Sequence, residues 1–491
     1  MSNATKWLFE KVEKGEQTAI KLNEQKFNYK EIYAKIIHLI KKLNESLGKD
    51  NNILLISDNS LFFVISYLSI IGSGNVCVPL RYERDMDIKK IKEELKSKHI
   101  FIQEKFKKLI KLTSFSEIYS EEILDCEEFK ESFELEDFSD DKTASIMYTS
   151  GTSGKAKGVM ISHINIISNT QSIIESLFLT DKDKIMVVLP FYYCFGVSLL
   201  HTHLRVGAQM VFNNNFFLPE KIVEGLIKEE CTGIAGVPTT FQLLIRKSTL
   251  LEKKFPKIRC VQQAGGKLPN QDIKKLIEVF GQENVYIMYG QTEATARLSV
   301  LDPKKLDKKL GSIGRGLPGT ILKVLDSSLN PIKKEEVGEI YASGKNIMKG
   351  YYNDPEETNK KIVKGMLRTG DIATIDSEGY IYVLERKENF IKSRGFRISS
   401  KKIEEAIYKL LGVSDVAVFG VDDNLLGERI IAYISPTETL KNKDVLDYCS
   451  KNLRNYEVPS EIIFAQSLPK NSSLKTDYSK LKLDYLKLKK T

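Results

Sequence analysis

The chain has 491 residues, 42% hydrophobic and 28% charged, a composition typical of a globular protein of several domains. Six scattered cysteines without a Cys-x-x-Cys pair argue against a disulfide framework or zinc site, and the net charge of +9 is spread along the chain, which indicates a solvated surface and no nucleic-acid partner. The longest apolar run, Leu61 to Ile71, is shorter than the ~20 residues of a membrane span, so we expect a cytoplasmic protein with no membrane span.

Strands and helices alternate in the first hundred residues. After an opening helix, the predicted elements are strands at Thr18–Leu22 and Lys26–Asn28, a helix at Tyr29–Leu47, a strand at Asn52–Ser57, a helix at Ser60–Ile71, a strand at Val76–Pro79, a helix at Asp87–Lys98 and a strand at His99–Gln103. This alternation indicates a parallel sheet covered on both faces. Residues 104–142 are acidic and irregular in pattern.

A glycine-rich stretch, YTSGTSGKAKGVMISH from Tyr148 to His163, follows an apolar run that we interpret as a strand. Its glycines let backbone N–H groups approach a ligand, its hydroxyls donate hydrogen bonds and its lysines supply charge, a combination that suits polyphosphate. It is not a Walker A motif, because Gly151 and Gly154 are too close and neither Ser nor Thr follows Lys155. A solvated Ser/Gly linker is the alternative interpretation.

A second run of alternating elements follows. The predicted strands are Lys184–Pro190, Gln209–Phe212, Thr232–Val237, Ile258–Ala264 and Asn284–Tyr289, and the predicted helices are Gly196–Val206, Pro219–Glu230, Pro238–Lys247 and Asn270–Phe280. Ligands of open α/β sheets bind where strands end. We therefore expect the loops after Tyr148, Ala264 and Tyr289 to line a site.

Beyond about Pro318 the pattern changes to short strands, at Ile321–Leu325, Gly338–Ser343 and Ile381–Leu384. A compact α+β pattern follows, with a helix at Ile403–Leu411, strands at Val416–Gly420 and Arg429–Ser435, and a helix at Lys443–Leu453. The predicted fold is thus α/β: a large N-terminal domain of parallel α/β sheets with a β-rich subdomain (1–385), a hinge (386–389) and a small mobile α+β domain (390–491).

Taken with the later strings GEIYASGKNIMKGYY, LRTGD, RKENFIKSRGFRI and LPKNSSLK, these motifs and their order resemble the adenylate-forming superfamily: acyl- and aryl-CoA synthetases, peptide-synthetase adenylation domains and luciferases. The resemblance extends from about Asn28 to Asp477. It implies an AMP-forming, ATP- and Mg-dependent ligase that makes an acyl-adenylate from a carboxylic acid and transfers the acyl group to CoA or to the phosphopantetheine of a separate acyl carrier protein.

The resemblance also implies roles for residues that match the family's motifs. The residues assigned to ATP and AMP are Thr149, Ser150, Gly151, Thr152, Ser153, Gly154, Lys157, Gly265, Gly266, Tyr289, Asp371 and Arg386. Glu293 matches the magnesium-associated acid, and a carboxylate beside phosphate suits that ion. Thr292 is expected near the α-phosphate.

The C-terminal domain supplies the remaining implied residues. Lys475 matches the family's adenylation lysine, and Glu388 lies at the hinge position. After the domain rotation known in the family, Lys392 and Gly395 are expected on the thiol side, where Gly395 would leave room for a pantetheine arm.

The substrate acid is less evident from the sequence. The acyl-pocket candidates are Tyr192, Tyr193, Phe195, Val237, Met288 and Gly290. The string LPFYYCFG lacks the aspartate with which amino-acid-activating relatives pair the α-ammonium, and a buried ammonium without a counter-charge is costly. We therefore expect an acid without an α-amino group. An amino-acid-activating enzyme and a catalytically silent binding protein are the alternatives.

We expect Lys475→Ala to lower the rate of acyl-adenylate formation by about three decades, because a cation near the α-phosphate stabilises the developing charge by about 4 kcal/mol at an effective dielectric near 20. Thiol attack on preformed adenylate should be comparatively unaffected. The two half-reactions are to be measured separately, and an equal loss in both would contradict the assignment.

Overall fold

The structure, a computed structural model, describes residues 2–83, 87–110, 112, 115–125, 134–149, 157–215, 218–334, 336–386, 390–394, 396–423, 425–471 and 475–489. The helices are α1 (Ala4–Phe9), α2 (Tyr29–Ser46), α3 (Leu61–Gly72), α4 (Ile88–Leu95), α5 (Glu104–Lys107), α6 (His163–Leu177), α7 (Cys194–Val206), α8 (Pro219–Lys228), α9 (Pro238–Lys247), α10 (Asn270–Phe280), α11 (Pro355–Lys361), α12 (Ser400–Tyr408), α13 (Asn442–Asn452) and α14 (Tyr478–Leu488). The strands are β1 (Thr18–Leu22), β2 (Gln25–Asn28), β3 (Asn52–Ile56), β4 (Val76–Leu80), β5 (His99–Ile102), β6 (Glu117–Tyr119), β7 (Thr143–Thr149), β8 (Lys157–Ser162), β9 (Lys184–Val187), β10 (Gln209–Phe212), β11 (Gly233–Gly236), β12 (Cys260–Gln263), β13 (Val285–Tyr289), β14 (Ser299–Leu301), β15 (Arg315–Gly316), β16 (Thr320–Leu325), β17 (Gly338–Gly344), β18 (Gly350–Tyr351), β19 (Ile362–Val363), β20 (Met366–Ile375), β21 (Ile381–Arg386), β22 (Ile391–Ser393), β23 (Phe396–Ile398), β24 (Val413–Asp423), β25 (Gly427–Pro436) and β26 (Glu461–Phe464).

The largest sheet has nine strands in the order β15-β14-β13-β12-β11-β9-β10-β1-β2. Its six central strands, β13 to β1 in that order, pair in parallel, and antiparallel strands flank them on both sides. Parallel strands need crossover connections, which the helices of this region supply. The carboxyl ends of the parallel strands therefore lie at one edge of the sheet.

A second sheet has seven strands in the order β18-β8-β7-β4-β3-β5-β6. β7 runs parallel to β4 and antiparallel to β8, so β7 and β8 form a hairpin. The sequence predicted a loop through to His163, but Lys157–Ser162 forms β8, because Val159 and Ile161 are buried against the sheet. The predicted phosphate loop is correspondingly shorter.

Helix burial follows the apolar pattern of the sequence. α3 is apolar around its whole circumference and all of its residues are buried, as expected of a helix enclosed by other elements. The hydroxyl of Ser60 caps its first turn by accepting from the N–H of Phe63 at 3.1 Å. α2 is amphipathic, and Asn28 and Glu31 cap it reciprocally.

Two smaller sheets complete the fold. One has the order β16-β17-β20-β19, with β21 paired to β20, and the other has the order β23-β22-β25-β24, with β26 paired in parallel to β25. In the second, apolar residues of α12, α13 and the strands form one core, to which Ile403, Ile407 and Val445 belong.

The described residues divide into two compact units. One unit comprises the residues up to Thr149, those from Lys157 to Leu322, and Ala342–Leu367; the other comprises Lys323–Tyr341 and the residues from Arg368 onward. The predicted hinge at 386–389 remains a prediction; Glu388 lies outside the described residues, and Arg386 is the last residue of β21. The buried carboxylate of Glu385 accepts a hydrogen bond from the hydroxyl of Ser400, which joins β21 to α12.

The predicted fold class is confirmed: parallel α/β sheets, a β-rich part and a C-terminal α+β part are all present. Several elements were not predicted, among them β14, β15, β18, β19, β22, β23, β26 and α11. The stretch 104–142 contains α5 and β6, the strand β20 was not predicted, and the lysine-rich tail forms α14, which buries Leu481 and Tyr485. Within the described residues, none of the helices is both long and apolar enough to cross a membrane.

His163 is a buried residue at the start of α6. Its Nδ1 accepts a hydrogen bond from the N–H of Ala4 at 3.1 Å, and its Nε2 has no partner among the described residues. Burial lowers the pKa of His163 to about 3. Protonation would place a hydrogen on Nδ1 and break the bond to Ala4.

We expect the stability of the first unit to fall as the pH drops below about 6.5, the ordinary pKa of an unfolded histidine, because only the unfolded state then takes up the proton. At pH 5 His163 would lower the free energy of unfolding by about 2 kcal/mol relative to pH 7. Urea unfolding at pH 7 and pH 5, followed by the fluorescence of the single tryptophan, Trp7 in α1, measures this loss. His163→Gln should lose less stability over this range than the native chain, and an identical loss would contradict the assignment.

Candidate active site

Four neighbouring parallel strands, β9, β11, β12 and β13, end at one edge of the nine-stranded sheet. Their ends and the segments that follow carry many of the predicted site residues: Tyr192, Tyr193, Phe195, Val237, Gly265, Gly266, Met288, Tyr289, Gly290, Thr292 and Glu293. Since the strands run in the same direction, these residues are brought to a common edge, where open α/β sheets bind ligands.

The loop between β13 and β14 holds two of the predicted catalytic residues. It is closed by the N–H of Leu298, which donates to the carbonyl of Tyr289 at 2.8 Å, and it contains a 3₁₀ turn at Thr292–Ala294. Gly290 lies directly against the returning backbone, and a Cβ there would be 2.0 Å from the carbonyl oxygen of Ala296. Any side chain at Gly290 would therefore displace the loop.

The two catalytic candidates of this loop, Thr292 and Glu293, are each 9% exposed. Thr292 Oγ1 donates to Cys194 Sγ at 3.3 Å, which ties the loop to the start of α7. Glu293 Oε1 accepts from the hydroxyl of Tyr351 at 2.7 Å, whereas Oε2 accepts no hydrogen bond from the described residues. A carboxylate oxygen without a protein donor is a suitable ligand for Mg²⁺, so Glu293 fits the ion that the resemblance implies.

Tyr351 lies between Glu293 and the predicted phosphate-binding lysine. Lys157 Nζ is 5.2 Å from the centroid of the Tyr351 ring and 2.5 Å from Glu357 Oε2. Hydrogen bonds from Lys157 and Lys360 lower the pKa of Glu357 to about 2, so this carboxylate is ionised at neutral pH. Tyr351 and Glu357 were not predicted, although the string ending GYY contains the first of them.

The β7–β8 hairpin positions both ends of the predicted phosphate loop. Thr149 is opposite Lys157, and its Oγ1 donates to the carbonyl of Lys157 at 3.5 Å. The remaining residues predicted for this loop, Ser150, Gly151, Thr152, Ser153 and Gly154, lie outside the described residues.

The glycine pair after β12 forms a tight turn. Gly265 has a φ of +81°, which favours glycine. The side-chain amide of Gln263 donates to the carbonyl of Gly266 at 2.8 Å, and a Cβ at Gly266 would be 3.2 Å from Pro238 Cγ. The turn therefore packs closely against the first residue of α9.

The predicted acyl-pocket side chains differ in exposure. Those that are buried are Phe195, Val237 and Met288, and those that are half-buried are Tyr192 and Tyr193. Burial raises the pKa of Tyr192, so its hydroxyl is neutral at physiological pH. The guanidinium carbon of Arg297, a residue that the sequence did not predict for the site, lies 3.5 Å from the centroid of the Phe195 ring.

In the second unit, Asp371 and Arg386 are opposite each other on β20 and β21. Arg386 Nε lies 3.4 Å from Asp371 Oδ1, and the Asp371 side chain is 8% exposed. The hydroxyl of Thr369 accepts from the N–H of Asp371 at 3.1 Å and donates to the carbonyl of Ile340 at 2.8 Å. Two residues that were predicted to reach the nucleotide are thus adjacent.

The predicted adenylation lysine, Lys475, lies in a turn of the second unit. Its N–H donates to Asn471 Oδ1 at 3.0 Å, and the N–H of Asn471 donates to its carbonyl at 2.7 Å. Lys392 is exposed on β22, and its N–H donates to Glu428 Oε2 at 2.5 Å. Gly395, like the hinge candidate, lies outside the described residues.

Comparison with protein families gives two matches in chain order. The family described as AMP-binding enzyme matches residues 9–352, and the one described as AMP-binding enzyme C-terminal domain matches residues 402–475.

The chain is also similar to individual proteins of known name and to solved structures. The chain is 31% identical over 340 residues to a long-chain-fatty-acid–CoA ligase of Salmonella typhimurium. This match covers 67% of this chain and only 59% of the length of that relative. It is 29% identical over 488 residues to a 2-succinylbenzoate–CoA ligase of Listeria monocytogenes, covering 97% and 99% of the two chains. A solved structure, O-succinylbenzoate coenzyme A synthetase from Bacillus subtilis in complex with ATP and magnesium ion, superposes with a TM-score of 0.85 at 25% identity, covering 98% and 99% of the two chains.

We expect Tyr351→Phe to lower acid-dependent ATP–pyrophosphate exchange by about 10- to 100-fold and to raise the Mg²⁺ concentration needed for half-maximal rate, because Glu293 loses the group that orients it. The variant keeps the ring beside Lys157, so the change tests the hydroxyl alone.

The matched control is Tyr352→Phe. That hydroxyl accepts from Asn52 Nδ2 at 3.1 Å and donates to the carbonyl of Leu95 at 3.4 Å, away from Glu293. Exchange and its Mg²⁺ dependence should be unchanged in the control, and equal effects of the two variants would contradict the role of Tyr351.

Proposed function

Since the chain belongs to the family of AMP-binding enzymes, we propose that it is an ATP-dependent, AMP-forming ligase that joins a carboxylic acid to a thiol. The resemblance noted in the sequence is thereby confirmed at the level of the family. The two domain matches follow the order of the sequence motifs from Tyr148 to Lys475.

The proposed reaction has two steps. In the first, a carboxylate oxygen of the acid attacks the α-phosphorus of ATP, the bond to the bridging oxygen breaks, and pyrophosphate leaves. In the second, the sulfur of a thiol attacks the acyl carbon, the thiol loses its proton, and AMP leaves with the electron pair of the C–O bond.

We assign the first step to residues that match the family's motifs. Glu293 would hold Mg²⁺, which would neutralise charge on the phosphate oxygens. Thr149 and Lys157 would bind the departing pyrophosphate, for which Lys157 must exchange its contact with Glu357 for one with phosphate. Lys475 would stabilise the charge that develops at the α-phosphate.

Nucleotide binding through Asp371 and Arg386 is supported by their pairing. A carboxylate accepts hydrogen bonds from vicinal hydroxyls, and Arg386, which is 43% exposed, lies 3.4 Å from Asp371 and would orient its carboxylate. The two side chains fit the ribose contacts that the family resemblance implies.

The proposed acyl acceptor is CoA, because both curated relatives are named as CoA ligases. Their named acids differ, one being a long-chain fatty acid and the other 2-succinylbenzoate. The pantetheine of a separate carrier protein is the alternative acceptor, and a cytoplasmic location stays a prediction from the sequence.

The observation that supports this function best is the arrangement at the edge of the nine-stranded sheet. A buried acid, Glu293, has one carboxylate oxygen that accepts no hydrogen bond from the described residues. It lies on the same loop as the predicted α-phosphate contact, Thr292, and beside the largely apolar residues of the predicted acyl pocket. An acid near phosphate with an apolar pocket beside it suits activation of an organic carboxylate.

We expect acid-dependent exchange of labelled pyrophosphate into ATP when the protein is assayed against a panel of carboxylic acids and amino acids. Mass spectrometry of the products, with CoA or a pantetheinylated carrier protein present, should then find an acyl thioester and AMP. Glu293→Gln is the control: it keeps an acceptor for Tyr351 but loses the metal-binding charge, so exchange should fall by at least about 100-fold.

The alternatives predict other outcomes. Exchange with amino acids alone would identify an amino-acid-activating enzyme. Absence of exchange with every acid, from folded protein, would leave the catalytically silent binding protein.

A further inference from the structure

Arg297 is the largest fully buried side chain among the described residues, with 1% of its surface exposed. Its backbone is held from two sides. The N–H of Arg297 donates to Asn169 Oδ1 at 3.2 Å, and its carbonyl accepts from Asn169 Nδ2 at 2.8 Å and from Asn346 Nδ2 at 3.1 Å. These amide contacts fix the position from which the side chain starts.

The guanidinium group is poorly satisfied. Nη1 contacts Ser198 Oγ at 3.4 Å, a long hydrogen bond, while Nε and Nη2 have no hydrogen-bond partner among the described residues. Within that part of the chain no carboxylate forms an ion pair with it. The titratable groups that counteract the effect of burial on its pKa are those of Cys194, Tyr193 and Cys260.

The charge persists in spite of this burial. Burial lowers the pKa of Arg297 to about 10, which leaves the group protonated at neutral pH. A buried cation without a counter-charge is costly, and stacking on the Phe195 ring offsets only part of that cost. An anion is the chemical group that would complete this environment.

Arg297 lies at the predicted acyl pocket. Phe195 and Ser198, which the guanidinium contacts, are on α7 just after the Tyr192–Tyr193 segment. Its Cα would lie 2.8 Å from a Cβ on Gly290, another of the pocket candidates. The cation therefore borders the space assigned to the acyl group, on the loop that also carries Glu293.

We propose that Arg297 binds a second carboxylate of the substrate, so that the acid activated by this enzyme is a dicarboxylic acid. This rests on the proposed function, which supplies the first carboxylate as the one that is adenylated. A guanidinium with two unpaired nitrogens matches a carboxylate in bidentate fashion. A purely apolar acyl tail would leave the cation unpaired, and an α-ammonium beside it would be repelled.

The side chains must rearrange to admit the anion. A cavity lined in part by Asn169, Cys194 and Ser198 has a volume of about 10 Å³, which is the room of about one water molecule. A carboxylate needs more space than this. Because the Phe195 ring lies over the guanidinium, this ring must move before a carboxylate can reach it.

The competing interpretation is structural: Arg297 would serve only to pack Phe195 and Ser198. The two interpretations differ in what removal of the charge does to the choice of acid. A structural arginine affects all acids alike, whereas a binding arginine affects only those that carry the second carboxylate.

The test measures kcat/KM for pyrophosphate exchange with monocarboxylic and dicarboxylic acids in pairs of equal chain length. The native enzyme should prefer the dicarboxylic member of its best pair by about 10-fold or more. Arg297→Met should lose about 10- to 100-fold on that acid and reverse the preference, and Arg297→Lys should fall between, because it keeps the charge without the planar fork.

Arg205→Met is the matched control. Arg205 lies on the same helix, α7, and stacks in the same way on an aromatic ring, 4.1 Å from the centroid of Trp7, remote from the pocket candidates. It should leave the ratio between the paired acids unchanged, even if the variant melts at a lower temperature.

Preference of the native enzyme for monocarboxylic acids would overturn the proposal without any variant. So would an Arg297→Met or Arg297→Lys enzyme that loses activity equally on both members of each pair. Absence of exchange with every acid would overturn the proposed function and this proposal with it, and exchange restricted to monocarboxylic acids would overturn this proposal alone.

Discussion

The parallel pairing of the central strands is the constraint on which the first unit depends. Because β9, β11, β12 and β13 run in one direction, their loops must leave from the same edge, and the crossover helices must cover the faces. Residues far apart in sequence, such as Val237 and Glu293, are thus brought to a common edge before any side chain contributes. Because strand pairing brings these segments together, few polar groups are needed to hold the site.

Two residues of opposite charge, Glu293 and Arg297, are buried on the loop after β13. Among the residues that the structure describes, Tyr351 alone donates a hydrogen bond to the carboxylate of Glu293, and two nitrogens of the Arg297 guanidinium have no partner. Buried charges destabilise a fold unless something compensates them. Both residues lie in the loop between β13 and β14, and the proposed ligands, Mg²⁺ at Glu293 and a carboxylate at Arg297, would each supply a compensating charge.

The sequence predicted the elements whose periodicity is simple. α3 is apolar throughout and α2 has one apolar stripe, so both were predicted to within a residue or two of their observed ends. The strand β20 was missed because it carries Arg368, Thr369 and Asp371 in its interior, a polar composition that periodicity alone assigns to a loop. Its charges are accommodated by partners on other strands, such as Glu339 for Arg368, which sequence patterns do not show.

The candidate site was predicted only in part, because motifs identify some of its residues and only contacts in the folded chain identify the others. Glu293, Asp371 and Lys475 stand in motifs and could be assigned by resemblance, whereas Tyr351 and Arg297 act through contacts across tens or hundreds of residues. Arg297 comes close to its partners on α6 and α7 because of the order of the strands in the sheet, and no local sequence pattern indicates these contacts. Only the folded chain shows that Arg297 is enclosed and that Glu293 is held by a tyrosine.

The manner in which Arg297 is anchored has a consequence for substitutions at this position. Asn169 and Asn346 hold its backbone N–H and carbonyl, groups that every residue except proline possesses. The path of the loop is therefore set independently of the side chain at this position, and Glu293 stays where it is whichever side chain follows it in the loop. Substitution at position 297 would therefore change the charge beside the predicted acyl pocket without removing the contacts that hold the backbone of the loop.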